Sequence, residues 1–130
     1  MSGEKNLEKL LKGMSAVLVD GVHVFVTLPG REIPTGLAPR MIFHEAEGIT
    51  LVMLREEAED HGLSYEFPSR MITLNIHSSL EAVGFLARIT TELAKQEMGV
   101  NPVSAFYHDH LFVPEGREQE ALDILKQLAK

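Results

Sequence analysis

The second half of the chain has the clearest pattern of apolar and polar residues. Side chains of the two kinds alternate strictly over residues 71–77, which predicts a strand with one buried face. Apolar residues then recur at helical spacing over 79–97. Strands are predicted at 101–108 and 110–114, and a last helix at 116–129. This order, β-α-β-β-α, is a ferredoxin-like β-α-β-β-α-β unit without its final strand.

The first half follows the same order, with a loop in place of the first helix. Its predicted elements are strands at 22–28, 41–46 and 49–54, a helix at 55–61 and a strand at 63–67. Residues 29–40 hold three Pro and two Gly, which predicts the loop. Gly62 is well placed to end the helix, because glycine readily adopts the left-handed conformation that follows many helices. We therefore expect the two halves to be pseudo-repeats of one unit.

Two further elements precede the first half, a helix at 7–14 and a strand at 16–19. Asp20-Gly21 separates that strand from the one at 22–28, and Asp-Gly between β-branched runs is typical of a two-residue hairpin turn. The second half lacks a strand, and the first half lacks a helix. We expect the N-terminal strand to complete the second half and the N-terminal helix to complete the first.

The expected fold class is α+β, with two intertwined ferredoxin-like units. Their antiparallel sheets are expected to carry helices on one face. The unit boundaries are predicted at 1–68 and 69–130, with the strand at 16–19 supplied to the second unit.

The start of the long helix carries its own signals. Residues 78–81 read Ser-Ser-Leu-Glu, which has the S-x-x-E form of a capping box and predicts a helix beginning here. Gly84 inside a helix costs about 1 kcal/mol relative to Ala, so close packing or a ligand is expected to require it. Phe85 falls among the polar residues of this helix, and we expect it to lie at an interface.

Composition narrows the class of protein. The chain has 130 residues, 45% of them apolar, and no cysteine, so disulfide and thiolate chemistry are excluded. Its net charge of −7 argues against binding to nucleic acid, whose phosphates it would repel. Residues 1–12 hold no long apolar run, so we expect neither a signal peptide nor a membrane span, and a cytoplasmic location.

Three stretches carry a resemblance to a known family. They are 43–52 (FHEAEGITLV), 72–84 (ITLNIHSSLEAVG) and 107–114 (YHDHLFVP). Together they resemble the ACT domain family, the small regulatory domains found in enzymes such as aspartate kinases. The chain is most similar to small bacterial proteins built from two fused ACT-like units. The resemblance implies the fold described above and a regulatory or sensing role.

The resemblance also implies a ligand site. In ACT domains that bind amino acids, the ligand usually lies where two units meet, against the loop between the first strand and first helix, and backbone groups hold it. Many members have Asp or Asn followed by Pro-Gly in that loop, where this chain has Ser-Ser-Leu-Glu. Helix N-termini suit an α-carboxylate because their N–H groups are free. The ligand-binding residues implied in this chain are His77, Ser78, Ser79, Leu80, Val83, Gly84 and Asn101.

Other chemistry has weaker support in the sequence. His108 and His110 flank Asp109 at a predicted turn and are candidates for a metal site, but zinc needs three or four ligands. Asp109 is also an ordinary turn residue. No G-x-S-x-G or phosphate-binding loop is present, so we expect no catalytic residues and no cofactor.

Three functional hypotheses follow from these observations. The first is a regulatory module that binds a small molecule, such as an amino acid, and forms a homodimer or higher homo-oligomer. The second is a protein interaction module with no small ligand, which would use the acidic surface and the exposed face of the long helix. The third is a metal-dependent enzyme that uses His108 and His110.

The N-terminal elements give a first testable prediction. Because both halves are expected to draw on residues 1–20, deleting them should abolish cooperative unfolding. The measurement is thermal denaturation followed by circular dichroism, with the full chain as control. A truncated protein that still melts cooperatively would contradict this prediction.

Overall fold

The computed structural model describes residues 3–30 and 32–130, which form two compact units. Unit 1 consists of the residues up to Asp20 together with Arg70–Lys130. Unit 2 consists of Gly21–Ser69. Two long strands, β1 (Ala16–Leu28) and β4 (Glu66–Leu74), each contribute residues to both units.

Unit 1 contains most of the helical structure. Besides its parts of β1 and β4, its elements are α1 (Leu7–Gly13), α3 (Phe85–Ala94), β5 (Asn101–Ser104), β6 (Asp109–Pro114) and α4 (Glu118–Leu128). Its strands are ordered β1-β4-β6-β5, and β5 and β6 are antiparallel, with Ser104 opposite Asp109. The core buries residues from α1, β4, α3, β6 and α4: Leu10, Leu11, Met14, Ile72, Leu74, Phe85, Ile89, Leu93, Met98, Leu111, Val113, Ala121 and Leu125.

Unit 2 is built on β2 (Met41–His44), β3 (Ile49–Leu54) and α2 (Arg55–Asp60) with its parts of β1 and β4. The strands are ordered β2-β3-β1-β4, and β3 is antiparallel to both β2 and β1. Its core consists of Val24, Val26, Ile49, Leu51, Met53 and Ala58. The loop that follows β1 has no helix or strand in its described residues, and its Ile33 and Leu37 pack against this core. These two side chains cover the apolar face that a helix would otherwise cover.

The predicted hairpin at Asp20-Gly21 is wrong, because β1 continues through it as one strand. Gly21 does have the positive φ that suggested a turn, at +92°. However, β1 has β3 and β4 as its neighbours, and these longer pairings replace the local return that a hairpin would need. The prediction of separate strands at 63–67 and 71–77 is also wrong, since β4 is one strand that runs through Pro68. Phe67 just before it has φ +54°, which places a local kink inside the strand.

The helix α1 belongs to unit 1, whereas the sequence placed it with the first half. Asn6 caps its start by accepting a hydrogen bond from the Lys9 N–H at 3.1 Å. Leu10 and Leu11 are buried in the core that also contains Ile89 of α3. The apolar face of α1 therefore completes the unit 1 core, while unit 2 is covered by its own loop.

Two predicted helix features of the sequence have opposite outcomes. The prediction that Gly62 follows the end of α2 is confirmed, since it has φ +66° and its N–H donates to the Glu59 carbonyl at 3.0 Å. The predicted start of the long helix at residues 78–81 is wrong, because α3 begins at Phe85. Gly84 is its N-cap residue, with φ +89°, which a side chain rarely tolerates.

This later start also changes the place of Phe85. Its side chain is only 3% exposed and shares the buried stripe with Ile89 and Leu93, at i, i+4 and i+8. The prediction that Phe85 is exposed at an interface is therefore wrong. Leu86, the next residue along the helix, is only partly buried. The polar residues around Phe85 in the sequence therefore did not indicate whether its side chain is exposed or buried.

The start of α4 is stabilised by hydrogen bonds to the carboxylate of Glu118. The Glu118 carboxylate accepts hydrogen bonds from the Gly116 N–H at 2.7 Å and from Arg70 at 3.1 Å. The pKa of Glu118 is lowered below its ordinary value of 4.5. The largest cause is the hydrogen bond from its own N–H, and the Gly116 N–H and the Arg70 charge lower it further.

Across the described residues, we find no helix both long and apolar enough to cross a membrane.

The burial of Phe85 gives a second testable prediction. Phe85→Ala should lower the free energy of unfolding by about 3 kcal/mol, because it leaves a cavity in the unit 1 core. The measurement is urea denaturation at equilibrium. The matched control is Val83→Ala, two residues earlier and 84% exposed, which should change stability by about 0.5 kcal/mol or less. Equal losses from both variants would contradict the packing described here.

Candidate functional site

The candidate site is formed by the loop between β4 and α3, which turns tightly before the helix begins. The Ser79 hydroxyl accepts a hydrogen bond from the Glu81 N–H at 3.1 Å, and the Ala82 N–H donates to the Ser79 carbonyl at 3.0 Å. These contacts use the serine chemistry that the sequence assigned to a helix cap, but they close a turn instead. The loop then reaches α3 through Gly84.

A segment from the start of the chain, residues 3–5, pairs with this loop. Glu4 forms a parallel β-bridge with Ser78. The Glu4 N–H donates to the His77 carbonyl at 3.0 Å, and the Ser79 N–H donates to the Glu4 carbonyl at 2.8 Å. Lys5 forms an ion pair with Glu81 at 3.1 Å. The backbone groups on this side of the loop are therefore occupied by the chain itself.

The Glu4 side chain stabilises the turn that leads from this segment into α1. Its carboxylate accepts hydrogen bonds from the Lys5 N–H at 2.9 Å and the Asn6 N–H at 3.1 Å. The Asn6 and then the Lys5 hydrogen bond lower the pKa of Glu4 below its ordinary value of 4.5. The lowered pKa means that this local geometry favours the charged carboxylate over the protonated form.

A small cavity of about 80 Å³ opens beside the loop. Its lining residues are Ser78, Ser79, Leu80, Ala82, Phe85, Leu86, Ser104, Ala105 and Asp109. Asp109 is the charged group among them and is only 7% exposed. The Ser78 hydroxyl donates to its Oδ2 atom at 3.3 Å. A nearly buried carboxylate with hydroxyl neighbours is suited to a cationic group such as an ammonium.

Asp109 does not occupy the turn where the sequence placed it. It is the first residue of β6, and residues 105–108 form the turn, closed by the Ala105 N–H donating to the His108 carbonyl at 3.0 Å. The register puts Asp109 opposite Ser104, so both reach the cavity. The prediction that Asp109 lies at the tip of the turn is therefore wrong. The turn lies a few residues earlier, and Asp109 lines the cavity instead.

The two histidines beside Asp109 are engaged in separate contacts. The His108 Nδ1 atom lies 3.2 Å from the Ile76 carbonyl oxygen, and the His110 Nδ1 atom lies 3.0 Å from the Thr73 hydroxyl. The two ring centroids are 6.4 Å apart and the rings are nearly perpendicular. In the part of the chain that the structure describes, no group of three or more His, Asp or Glu residues could hold a metal ion.

An aromatic cluster is formed by residues adjacent in sequence to residues that line the cavity. The ring of His77 is 6.3 Å from that of Phe106 and 5.6 Å from that of Tyr107, measured between centroids. Phe106 and Tyr107 meet edge to face at 5.1 Å. Both of these rings are exposed, and so are the apolar side chains of Leu80 and Val83 on the loop. Leu80 also lines the cavity, and Phe106 follows the lining residue Ala105 in the chain.

Only some of the residues predicted for the ligand site line the cavity. Ser78, Ser79 and Leu80 line the cavity, while His77 lies in the aromatic cluster. Val83 points into solvent and Gly84 caps α3. Asn101 begins β5, opposite Phe112, at the far end of that strand from Ser104.

Some cavity residues that were not predicted could have been identified from the sequence, and others could not. Asp109, Ser104 and Ala105 could have been found from the hairpin register, had the turn been placed at 105–108. The pairing of Glu4 with Ser78 has no sequence signal, because an isolated bridge carries no periodicity.

Larger cavities lie elsewhere in each unit. One of about 390 Å³ runs between residues 14–16 and α4 in unit 1, and its lining is mostly apolar. One of about 380 Å³ in unit 2 is lined by His23, Ala38, Pro39, Arg40 and Leu54. Neither contains a residue that the sequence assigned to the ligand site.

Comparison with known proteins relates both halves to one family. ACT domain family models match residues 2–70 and 66–127. The chain is similar to a protein of unknown function from Vibrio cholerae, with 39% identity over 97% of this chain and 98% of that one, and a TM-score of 0.85. No curated protein matches the chain.

More distant similarities concern the fold alone. The regulatory subunit of aspartate kinase from Thermus flavus is 12% identical, over 89% of this chain and 97% of that one, with a TM-score of 0.66. Aspartate kinase from Clostridium acetobutylicum is 7% identical, over 90% of this chain and 34% of that one, with a TM-score of 0.67.

The Glu4 contacts give a third testable prediction. Because the folded-state pKa of Glu4 is lowered, its carboxylate contributes stability above about pH 4.5, and this contribution is lost as the pH falls through the lowered pKa. The titration midpoint of the Glu4 carboxyl carbon, followed by NMR, should therefore lie below 4.5 in the folded protein and return toward 4.5 in urea. A folded-state midpoint at or above the urea value would contradict the hydrogen bonding described here.

Proposed function

This chain belongs to the ACT domain family, and on that premise we propose that it is a regulatory module that senses a free amino acid. The proposed site is the loop from His77 to Gly84 with Asp109 beneath it. The proposed working form is a cytoplasmic homodimer or higher homo-oligomer with no catalytic role of its own. The regulatory character of ACT domains, and the regulatory subunits among proteins of similar fold, support this reading.

The observation that carries the proposal is the nearly buried carboxylate of Asp109 in a cavity lined by serines. A buried carboxylate gains most from a partner that carries a positive charge and hydrogen-bond donors. An α-ammonium group supplies three donors and the charge. The Ser78 hydroxyl already donates to one oxygen of Asp109, which fixes the orientation of the carboxylate.

The size of the cavity decides which part of a ligand enters it. At about 80 Å³ it is far smaller than the pockets of roughly 300 to 1,000 Å³ that enclose whole drug-sized ligands. Only the small polar end of an amino acid would fit inside. The ligand side chain would then lie over the exposed apolar border formed by Leu80, Phe106 and Tyr107.

This exposed border also supports self-association. A ligand held only on its polar side leaves its side chain in water, and a second copy placed over Leu80, Val83, Phe106 and Tyr107 would enclose it. Binding would then favour one arrangement of the two copies, which is how a regulatory module transmits a signal.

A protein interaction module without a small ligand is the second candidate function. Phe85 cannot belong to such an interaction surface, because its side chain is buried. The exposed aromatic pair Phe106 and Tyr107 favours a different surface for the same role. In that case the protein would associate through these rings whether or not an amino acid is present.

A ligand screen provides the fourth testable prediction. Each of the twenty common amino acids is added at millimolar concentration, and the melting temperature is recorded. A ligand present at 100 times its Kd should stabilise the folded state by about 2.7 kcal/mol, which raises the melting temperature by several degrees. The 2-hydroxy acid analogue of each active amino acid serves as a control, because it lacks the ammonium group that Asp109 would bind.

The role of Asp109 is tested with matched variants. Asp109→Asn should weaken amino acid binding about tenfold or more, because a charged hydrogen bond contributes about 1.5 to 3 kcal/mol. Asp20→Asn removes an exposed carboxylate and should leave binding unchanged. If no amino acid raises the melting temperature, the proposal that the protein senses an amino acid is contradicted, and the interaction module is favoured.

A further inference from the structure

We propose that residues 3–5 act as a built-in competitor for the ligand-binding loop, so that a small molecule reaches the loop backbone only when this segment leaves. The inference rests on the proposed function, since it concerns access to the same site. It adds a regulatory device, because the chain would control its own affinity for the ligand.

The first argument is that the segment occupies backbone groups of the proposed ligand loop. The Ser79 N–H already donates to the Glu4 carbonyl at 2.8 Å. The His77 carbonyl accepts from the Glu4 N–H at 3.0 Å. One amide hydrogen serves one good acceptor, so a ligand carboxylate and the Glu4 carbonyl compete for the Ser79 N–H.

The second argument is the closeness of the approach. A Cβ atom placed on Gly3 would lie 2.5 Å from the His77 carbonyl oxygen and 2.8 Å from the Ser79 nitrogen. Both neighbours are backbone atoms, which cannot move aside as the end of a flexible side chain can. Only glycine allows the segment to lie this close to the loop. The space that the segment fills is therefore next to the same amide.

The third argument is that the segment is held loosely enough to leave. Its ion pair, Lys5 with Glu81, has side chains that are 59% and 76% exposed, and exposed ion pairs contribute little. Glu4 itself is exposed, and the buried residues of this region begin at Leu10. The segment can thus detach without opening the core, which a competitor must be able to do.

The main test uses Gly3→Ala, which should displace the segment without deleting any residue. The control is Gly99→Ala, where an added Cβ meets no atom within 4 Å. Hydrogen exchange of the Ser79 amide, measured by NMR, should be about tenfold faster in Gly3→Ala than in the wild type or the control. The twenty common amino acids are then titrated against all three proteins.

The expected result is tighter binding when the segment is displaced. If the segment is detached one-tenth of the time in the wild type, an amino acid that binds should do so about tenfold more tightly to Gly3→Ala. Unchanged exchange at Ser79, or faster exchange with unchanged affinity, would overturn the competitor. In the second case the proposed function stands. If no amino acid binds to any of the three proteins, the proposed function fails, and the competitor fails with it.

A charge exchange tests the same contact from the ion pair. Lys5→Glu places two carboxylates together and should speed exchange at Ser79, because like charges repel. Combining Lys5→Glu with Glu81→Lys restores an opposite pair and should slow exchange again. The amino acids are titrated against these variants too, and tighter binding to Lys5→Glu that the combined variant reverses would support the competitor even if Gly3→Ala folds poorly. Faster exchange that the combined variant does not reverse would count against the competitor.

Discussion

The hydrogen bonding of strand β1 is the constraint on which the rest of the structure depends. Thirteen residues stay extended, with β3 and β4 as the neighbouring strands. Each buried peptide group in a strand needs a partner, and leaving one unpaired is expensive. Unit 1 therefore cannot complete its sheet from the second half of the sequence alone, because it also takes residues 16–20 of β1. The positive φ of Gly21 lets the strand bend inside this arrangement without ending.

The parts of the fold that follow from local chemistry could be predicted from the sequence. The α+β class, the resemblance to ACT domains and the end of α2 at Gly62 were all correct. The errors arose where a distant partner overrides a local preference. Asp20-Gly21 favours a hairpin, yet the neighbouring strands keep β1 extended. The sequence cannot weigh a turn preference against a strand pairing that forms far along the chain.

The candidate site shows the same division. The serines after β4 were expected at the site because the resemblance to ACT domains implies a ligand against this loop, and they do line the cavity. Their detailed role differs, since Ser79 closes a turn and Gly84 caps the helix. Asp109 was missed because a displacement of a few residues in the hairpin decides whether a side chain meets solvent or the cavity. The contact with Glu4 depends on the folded arrangement alone.

The loop that follows β1 in unit 2 has a consequence for stoichiometry. Both units derive from one pattern, but within the described residues 29, 30 and 32–40 the chain forms no helix. Among these described residues, unit 2 has no counterpart of the turn that precedes α3, and its Ile33 and Leu37 pack directly against the core. A duplicated architecture would ordinarily suggest two equivalent sites per chain. Here the two repeats differ in this loop, so the binding proposed at the α3 turn would saturate at one molecule per polypeptide.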